Sequence, residues 1–380
     1  MDEAQIRPLL GLFLATEGRA GLATAARLVA TAGDLALWWP ERRRTGPPGA
    51  LLPGLETALL DEGLERRIDA LLADFARIGF VVDPGTSWPA FRALPDPPLV
   101  VFRKGLPPDD LPMLTIVGAR SASAYGLRIA ARLAGGLAAG GVVIVSGLAR
   151  GIDAAAHRAA LETGGRTVAV LGSGPDVPYP PEHLPLFSRI AAEGTLLTEH
   201  LPGAPPLARH FPRRNRLLAA LGRAVLLVEA RIKSGSLTTV RWAADLGRDV
   251  LVVPGPVDAP LSEGPLQLLR EGATAVGSVD HVLEAMGLSA LRPNAEASQP
   301  GEVVPAETEG GEGVGTRRVR EVLSAAEARI VALAEGSPVD LDDLVRLASD
   351  PPSVVITAVL SLEARGVLRR SGDGRSFTAE

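Results

Sequence analysis

Between Leu99 and about Val276 the chain repeats one pattern: a short continuous apolar run, a turn rich in glycine, serine or arginine, then an amphipathic helical stretch. Continuous apolar runs belong to strands buried on both faces. Helices between them carry the chain from one strand to the next. Strands are predicted at 99–102, 114–117, 142–145, 167–171, 195–198, 224–228 and 250–253, with helices at 126–139, 152–162, 213–221 and 237–246. The fold class is α/β, with a central doubly wound, Rossmann-like parallel sheet over residues 96–290.

The flanks differ in pattern. Residues 1–95 place Leu9, Leu10, Phe13 and Leu14, and later Ile68, Leu71, Leu72 and Phe75, at helical spacing, which predicts a small helical domain. Its Glu17-Gly18-Arg19-Ala20-Gly21-Leu22 stretch is either the glycine turn of a helix-hairpin-helix (SAM-like) module or a plain interhelical turn. Pro95-Asp96-Pro97-Pro98 marks the expected boundary. Residues 291–320, rich in Pro, Glu, Gly and Ser, bury too little apolar area to order themselves and are expected to form a flexible acidic linker. Residues 321–380 read as a winged helix: helical patterns at 325–334, 341–348 and 354–365, then a hairpin around Asp373-Gly374. The candidate recognition helix, 353–365, is mostly apolar with Arg365 as its one base, so protein contact fits as well as duplex reading.

Composition removes several chemistries. The 380 residues include no cysteine, which excludes thiol nucleophiles, zinc–thiolate sites and disulfides. No apolar run reaches membrane length and Met1-Asp2-Glu3 is acidic, so a cytoplasmic chain with no membrane partner is expected. A net charge of −5 means that a nucleic-acid partner needs a segregated basic surface.

Ligands of open α/β sheets bind beyond the carboxyl ends of the strands, so the turns after the strands carry the information. Two of them, Gly118-Ala119-Arg120-Ser121 and Ser146-Gly147-Leu148-Ala149-Arg150-Gly151, combine glycines, hydroxyls and an arginine ahead of a helix, a setting suited to phosphate. A third, Phe211-Pro212-Arg213-Arg214-Asn215-Arg216, crowds cations into the opening turns of a helix against its dipole. A bound anion would resolve that conflict. Phe211 either stacks a base or fills core. The fourth, Lys233-Ser234-Gly235-Ser236, sets a lysine beside a Gly-Ser loop whose serines also suit a helix cap. It is not a Walker motif, and no turn carries a full dinucleotide fingerprint.

Acid–base chemistry finds little support. The five histidines lack metal-binding spacing, and no nucleophile elbow occurs. Asp153 and His157 share a helix face, with Asp153 read first as a helix cap or loop brace. Glu199 and Glu229 end strands and are placed to brace the arginines.

Val117-Gly118-Ala119-Arg120, Ser146 to Asp153 with Ala156-His157, Val170-Leu171-Gly172-Ser173-Gly174, Tyr179-Pro180, Phe211-Pro212-x-Arg214-Asn215-Arg216, Val228-Glu229-Ala230, Ser234-Gly235-Ser236-Leu237-x-Thr239 and Val253-Pro254-Gly255 together resemble the DNA-processing protein A family, DprA/Smf. The resemblance implies a non-catalytic, cofactor-free and metal-free homodimer. Such a protein protects incoming single-stranded DNA and loads the RecA recombinase on it during natural transformation. It also implies DNA contacts at Gly118, Arg120, Ser146, Gly147, Arg150, Gly151, Phe211, Arg214, Asn215, Arg216, Lys233, Ser234, Gly235 and Ser236. Thr198 and Pro265 depart from the family pattern, where Ser and Asn are usual. The alternative is a nucleotide-processing enzyme of phosphoribohydrolase type, whose Pro-Gly-Gly-x-Gly-Thr-x-x-Glu motif is missing from 233–241.

Overall fold

All seven apolar runs enter one nine-stranded sheet in the computed structural model. It describes residues 3–16, 39–40, 42, 55–107, 111–291, 325–334, 339–347, 367–370 and 376–379, with single positions at 355, 358, 359, 362 and 363. The chain divides into two units, 1–299 and 300–380.

In the first unit the strands are β1 (Val81–Pro84), β2 (Val100–Gly105), β3 (Met113–Val117), β4 (Val143–Ser146), β5 (Thr167–Val170), β6 (Thr195–Thr198), β7 (Ala224–Leu227), β8 (Asp249–Val252) and β9 (Thr274–Ala275). Their spatial order is β1-β2-β6-β5-β4-β3-β7-β8-β9. From β6 to β9 every neighbouring pair is parallel, whereas β2 runs antiparallel to β6 and β1 antiparallel to β2. The sheet is therefore mixed. The chain builds outward from β3 to β6 and returns to the other side of β3 for β7, so the order reverses between β3 and β7, where such sheets open a ligand crevice.

Helices α1 (Glu3–Ala15), α2 (Leu55–Leu60) and α3 (Leu64–Ile78) precede the sheet. They share its core: Phe75 stacks on Phe102 of β2 with ring centroids 4.4 Å apart, and Phe13 meets the same ring edge-on at 5.6 Å. The boundary expected near residue 95 does not separate two cores, because β1 already belongs to the sheet and the 3-10 turns Gly85–Ser87 and Pro89–Ala93 join it to β2. The crossover helices α4 (Ala124–Ala139) and α5 (Ile152–Glu162) pack through Leu133, Leu137, Ala156 and Ala160. Helices α6 (Leu184–Glu193), α7 (His210–Leu221), α8 (Ser236–Asp245), α9 (Glu263–Arg270) and α10 (Val279–Ala285) complete the unit. The apolar side chains of α7 and α8 bury with Val117, Val145, Val170 and Val225 in a separate cluster, as a doubly wound sheet requires. Among the described residues, no helix is long and apolar enough to cross a membrane.

The second unit holds α11 (Ala325–Ala334), β10 (Val339–Asp340), α12 (Leu341–Leu347), β11 (Leu368–Arg370) and β12 (Ser376–Ala379). Its sheet, ordered β10-β12-β11, is antiparallel throughout and covers Ile330, Leu344, Val359, Leu362 and Phe377. The turn at 17–22, the linker beyond 291, the Asp-Gly turn and most of 353–365 lie outside the described residues.

Candidate functional site

The turns after β3, β7 and β4 meet the opening of α7 around a cleft of about 730 Å3 at the carboxyl ends of the parallel strands. Three exposed cations line it: Arg120 from the first turn, and Arg231 and Lys233 from the loop before α8. Phe211 and Tyr179 supply the aromatic wall, their rings 5.6 Å apart, and the Arg120 guanidinium lies 5.4 Å from the Phe211 centroid. Asn215, Ser234, Gly235 and Ser236 line the same space.

Sterics dictate several of the glycines. A Cβ at Gly118 would lie 2.6 Å from Ile152 Cγ1, and one at Gly172 would lie 2.8 Å from Phe211 Cδ1, so both glycines let neighbouring elements close up. Gly235 is different, since a Cβ there would meet nothing and its glycine leaves the backbone bare at the cleft. Ser234 Oγ lies 2.7 Å from Ser236 Oγ and accepts from the Ser236 amide at 3.3 Å, which shapes the start of α8.

The loop after β4 is held from several sides. Leu148, buried, has φ of +56°, a left-handed conformation costly for a branched side chain. Asp153 accepts from the amides of Gly147 at 3.1 Å and Ala149 at 3.3 Å, His183 Nδ1 lies 3.0 Å from Leu148 O, and Arg214 donates to Gly147 O at 2.9 Å and to Val170 O. Asp153 is thus the loop brace expected for it. Burial pushes its carboxyl up, with Arg214 and the two amides opposing. Burial also pulls the Arg214 guanidinium down to about 10, with Asp153 opposing.

The structure separates the fourteen expected contact residues. Gly118, Arg120, Phe211, Arg214, Asn215, Lys233, Ser234, Gly235 and Ser236 line the cleft. Gly147 and the exposed Arg150 border a narrow slot beside it, where Arg150 pairs with Glu182. Gly151, with φ of +72°, turns the chain into α5, and the Ile152 amide bonds Ala119 O. Three expectations need correction. Ser146 is fully buried and donates to Ile116 O at 2.6 Å, so its hydroxyl ties β4 to β3. Arg216 is buried in an ion pair with Glu199 at 2.5 Å and lies outside the cleft lining. Arg214, 5% exposed, is committed to backbone carbonyls. Internal acceptors thus take part of these guanidinium groups, while Arg214 Nε and Arg216 Nη1 are buried with no hydrogen-bond partner.

Glu199 braces an arginine as expected, but Glu229 does not. It accepts from the Ser123 amide at 2.9 Å and from Ser123 Oγ at 2.5 Å, while Ser123 itself caps α4. His157 is buried, its Nδ1 2.7 Å from Thr167 Oγ1, which removes it from acid–base work in the cleft. Thr198 donates to Ser173 O and accepts from the His200 amide, bonds a serine hydroxyl also makes. Pro265 sits in the first turn of α9, where helix amides need no internal partner. Tyr179, Arg231 and Thr239 line the cleft and were not among the expected contacts. A cation two residues before Lys233 was the available signal for Arg231; Tyr179 was hidden in a proline-rich loop that reads as architecture.

The model of the DNA recombination-mediator protein A family matches residues 81–287. The putative DNA processing protein DprA of Mycobacterium tuberculosis is 42% identical over 261 residues, which is 68% of this chain and 62% of that protein. The chain thus spans less than two thirds of that relative's length. Protein Smf of Synechocystis is 35% identical over 292 residues, 72% of this chain and 73% of that protein. The X-ray structure of DNA processing protein A from Streptococcus pneumoniae superposes with a TM-score of 0.54 at 35% identity, over 65% of this chain and 91% of that one. The family so matched is one of recombination mediators rather than of enzymes. With the family model covering more than half its length, the chain belongs to the DNA recombination-mediator protein A family, the DprA/Smf proteins.

Proposed function

We propose that the chain binds single-stranded DNA in the cleft between β3 and β7, protects incoming strands, and loads RecA recombinase on them during natural transformation. The observation that carries the binding step is the convergence of Arg120, Arg231 and Lys233 around Phe211 and Tyr179. None of the three cations forms an ion pair within 4 Å among the described residues, although Arg120 acts on the Asp153 carboxyl from farther off, in a chain whose net charge is −5. Cations spaced around a cleft grip successive phosphates and release condensed counterions, and rings that face the cleft, here half-buried, accept unstacked bases of any sequence. A duplex keeps its bases paired and offers nothing to the rings. Homodimerisation, which the family resemblance implies, sets two such clefts on one strand and raises affinity through effective concentration. RecA loading rests on the family resemblance alone; the winged-helix reading of residues 321–380 rests on their helical patterns and hairpin, and a cytoplasmic location on the want of an apolar run of membrane length.

Fluorescence anisotropy with a labelled oligothymidylate and a matched duplex, over a salt titration, tests the binding step. The single strand is expected to bind more tightly. Arg120→Ala and Lys233→Ala are each expected to flatten the log–log salt dependence by about 0.7 per lost phosphate contact. Equal binding of both DNAs, or unchanged slopes, would reject the cleft as the site. Absence of DNA binding together with turnover of a nucleotide would favour the enzymatic alternative.

A further inference from the structure

The slot that Arg150 borders shares Arg120, Ala149, Tyr179 and Phe211 with the cleft, so a strand that passes the aromatic wall comes up against Arg150. Unlike Arg120, Arg231 and Lys233, this cation is already in an ion pair: its Nε donates to Glu182 Oε1. Both side chains stand about half exposed, at 54% and 49%. Water screens such a pair, and holding two long side chains in one geometry costs entropy, so the pair adds little to the stability of the fold. Its effect falls on what else Arg150 can bind.

The backbone beneath the pair sets it in place. Glu182 lies in the 3-10 turn Pro181–His183, and the next residue, His183, is buried with its Nδ1 3.0 Å from Leu148 O, in the loop that carries Arg150. Asp153 holds the same loop through the amides of Gly147 and Ala149. Two pinned segments therefore keep the carboxylate facing the guanidinium. The mutual hydrogen bond is the chief cause that raises the Arg150 pKa and lowers that of Glu182. A phosphate reaches this arginine only in exchange for the carboxylate, and a negative charge at the edge of a phosphate-gripping surface repels the strand besides.

We propose that Glu182 is an autoinhibitory partner of Arg150, whose carboxylate competes with a DNA phosphate for the guanidinium and so limits the affinity of the cleft, a role that rests on the cleft being the single-strand site. Arg120, Arg231 and Lys233 hold the strand first. Arg150 joins them only when it lets go of Glu182, so the strand is easier to release at this end than a count of cations implies.

Anisotropy of a labelled oligothymidylate with the full chain, over a salt titration, tests this with Glu182→Gln, Arg150→Ala and the double variant. Glu182→Gln keeps the side chain's size at an exposed position. It is expected to tighten binding about two- to fivefold and to steepen the log–log salt dependence by about 0.7, the gain of one phosphate contact. In the Arg150→Ala background the same substitution is expected to change neither quantity. Equal gains in both backgrounds would overturn the competition and leave Glu182 as a general repulsive charge. Weaker binding by Glu182→Gln would also overturn it, because Glu182 would then be positioning Arg150 for the strand. Binding that Glu182→Gln leaves unchanged rejects the competition alone, whereas absence of binding by the wild type rejects the single-strand site and the competition with it.

Discussion

Asp153 and Arg214 hold one residue from two sides: Asp153 Oδ2 accepts the Gly147 amide at 3.1 Å while Arg214 Nη1 donates to the Gly147 carbonyl at 2.9 Å. Gly147 leads into Leu148, whose left-handed backbone persists because its neighbours on both sides, Gly147 and Ala149, are pinned. The loop is therefore set before any ligand arrives, which lowers the ordering cost of binding.

Arg214 matters first for stability. Arg214→Ala removes the Nη1 hydrogen bonds to two buried carbonyls and deprives the buried Asp153 carboxyl of the cation that most favours its charged form, so a loss of about 2–4 kcal/mol is expected in urea unfolding. Arg214→Lys is expected to recover only part, since an ammonium on a shorter stem does not place its donors where Nη1 meets both Gly147 O and Val170 O. Arg120→Ala, at the exposed lip, is expected to stay within about 0.5 kcal/mol of the parent. A DNA-binding defect in an Arg214 variant is then interpretable only beside its unfolding curve.

Gly172 offers a way to move Phe211 while leaving its chemistry intact. A Cβ at Gly172 would come within 2.8 Å of the ring, and the ring, half-buried at the end of a rotatable side chain, can swing aside. Gly172→Ala is expected to change stability by less than about 1 kcal/mol and to cost single-strand affinity about 1–3 kcal/mol, the worth of one base stacked on an aromatic ring. Anisotropy and thermal melts on the same preparation read both. Unchanged affinity would mean that Phe211 packs the slot and meets no base.

Glu229 links the end of β7 to the start of α4 across the switch point. Its carboxylate takes both the amide and the hydroxyl of Ser123, and Gly126 has no Cβ because one would collide with that carboxylate. Glu229→Ala is expected to cost about 1–3 kcal/mol, since the partly buried Ser123 donors lose a charged acceptor. Ser123→Ala is expected to cost about 1 kcal/mol or more, because it removes the cap of α4 as well. If the two residues act as a unit, the double variant falls short of the sum.

Much of this was written in the chain. The central strands declare themselves because burial on both faces leaves no polar position to blur them. The ligand end follows from which turns carry glycine, serine and arginine. The two edges were not legible: β1, Val81-Val82-Asp83-Pro84, has only two apolar residues before an acid and a proline that an edge strand tolerates, and β9 is two exposed residues. Nor was the inward aim of the arginines. The acceptors of Arg214 lie 67 and 44 positions earlier, and Glu199 lies 17 positions before Arg216, distances at which a string of residues does not say which side chain faces whom. The same motif that marked a phosphate site holds two cations that build it and one, Arg213, that is exposed.

Buried histidines set the response to acid. Thr167 Oγ1 donates to Ile144 O at 2.6 Å, so it accepts from His157 Nδ1, which fixes the neutral ring with its proton on Nδ1. Burial, reinforced by His183 and Arg214, lowers the His157 pKa to about 3. His200, partly buried against the stacked His210 ring 4.1 Å away, is lowered to about 4, again chiefly by burial. An unfolded chain protonates both near 6.5. Above that pH neither state takes the proton and the stability is whole; as pH falls below 6.5 the unfolded state gains protons that the folded state refuses. Stability drains away until the folded pKa is reached. Each histidine contributes up to about 1.4 kcal/mol per pH unit in that window. Asp153 and Glu199, raised by burial, act in the opposite sense, so the wild type alone mixes the two effects. Comparison with His157→Asn, whose amide can still donate to Thr167, isolates one site. In urea unfolding at pH 7.5, 6.5 and 5.5 the variant is expected to start lower and to lose less per pH unit than the wild type. Parallel pH profiles would mean that His157 takes up its proton in the folded chain as easily as in the unfolded one.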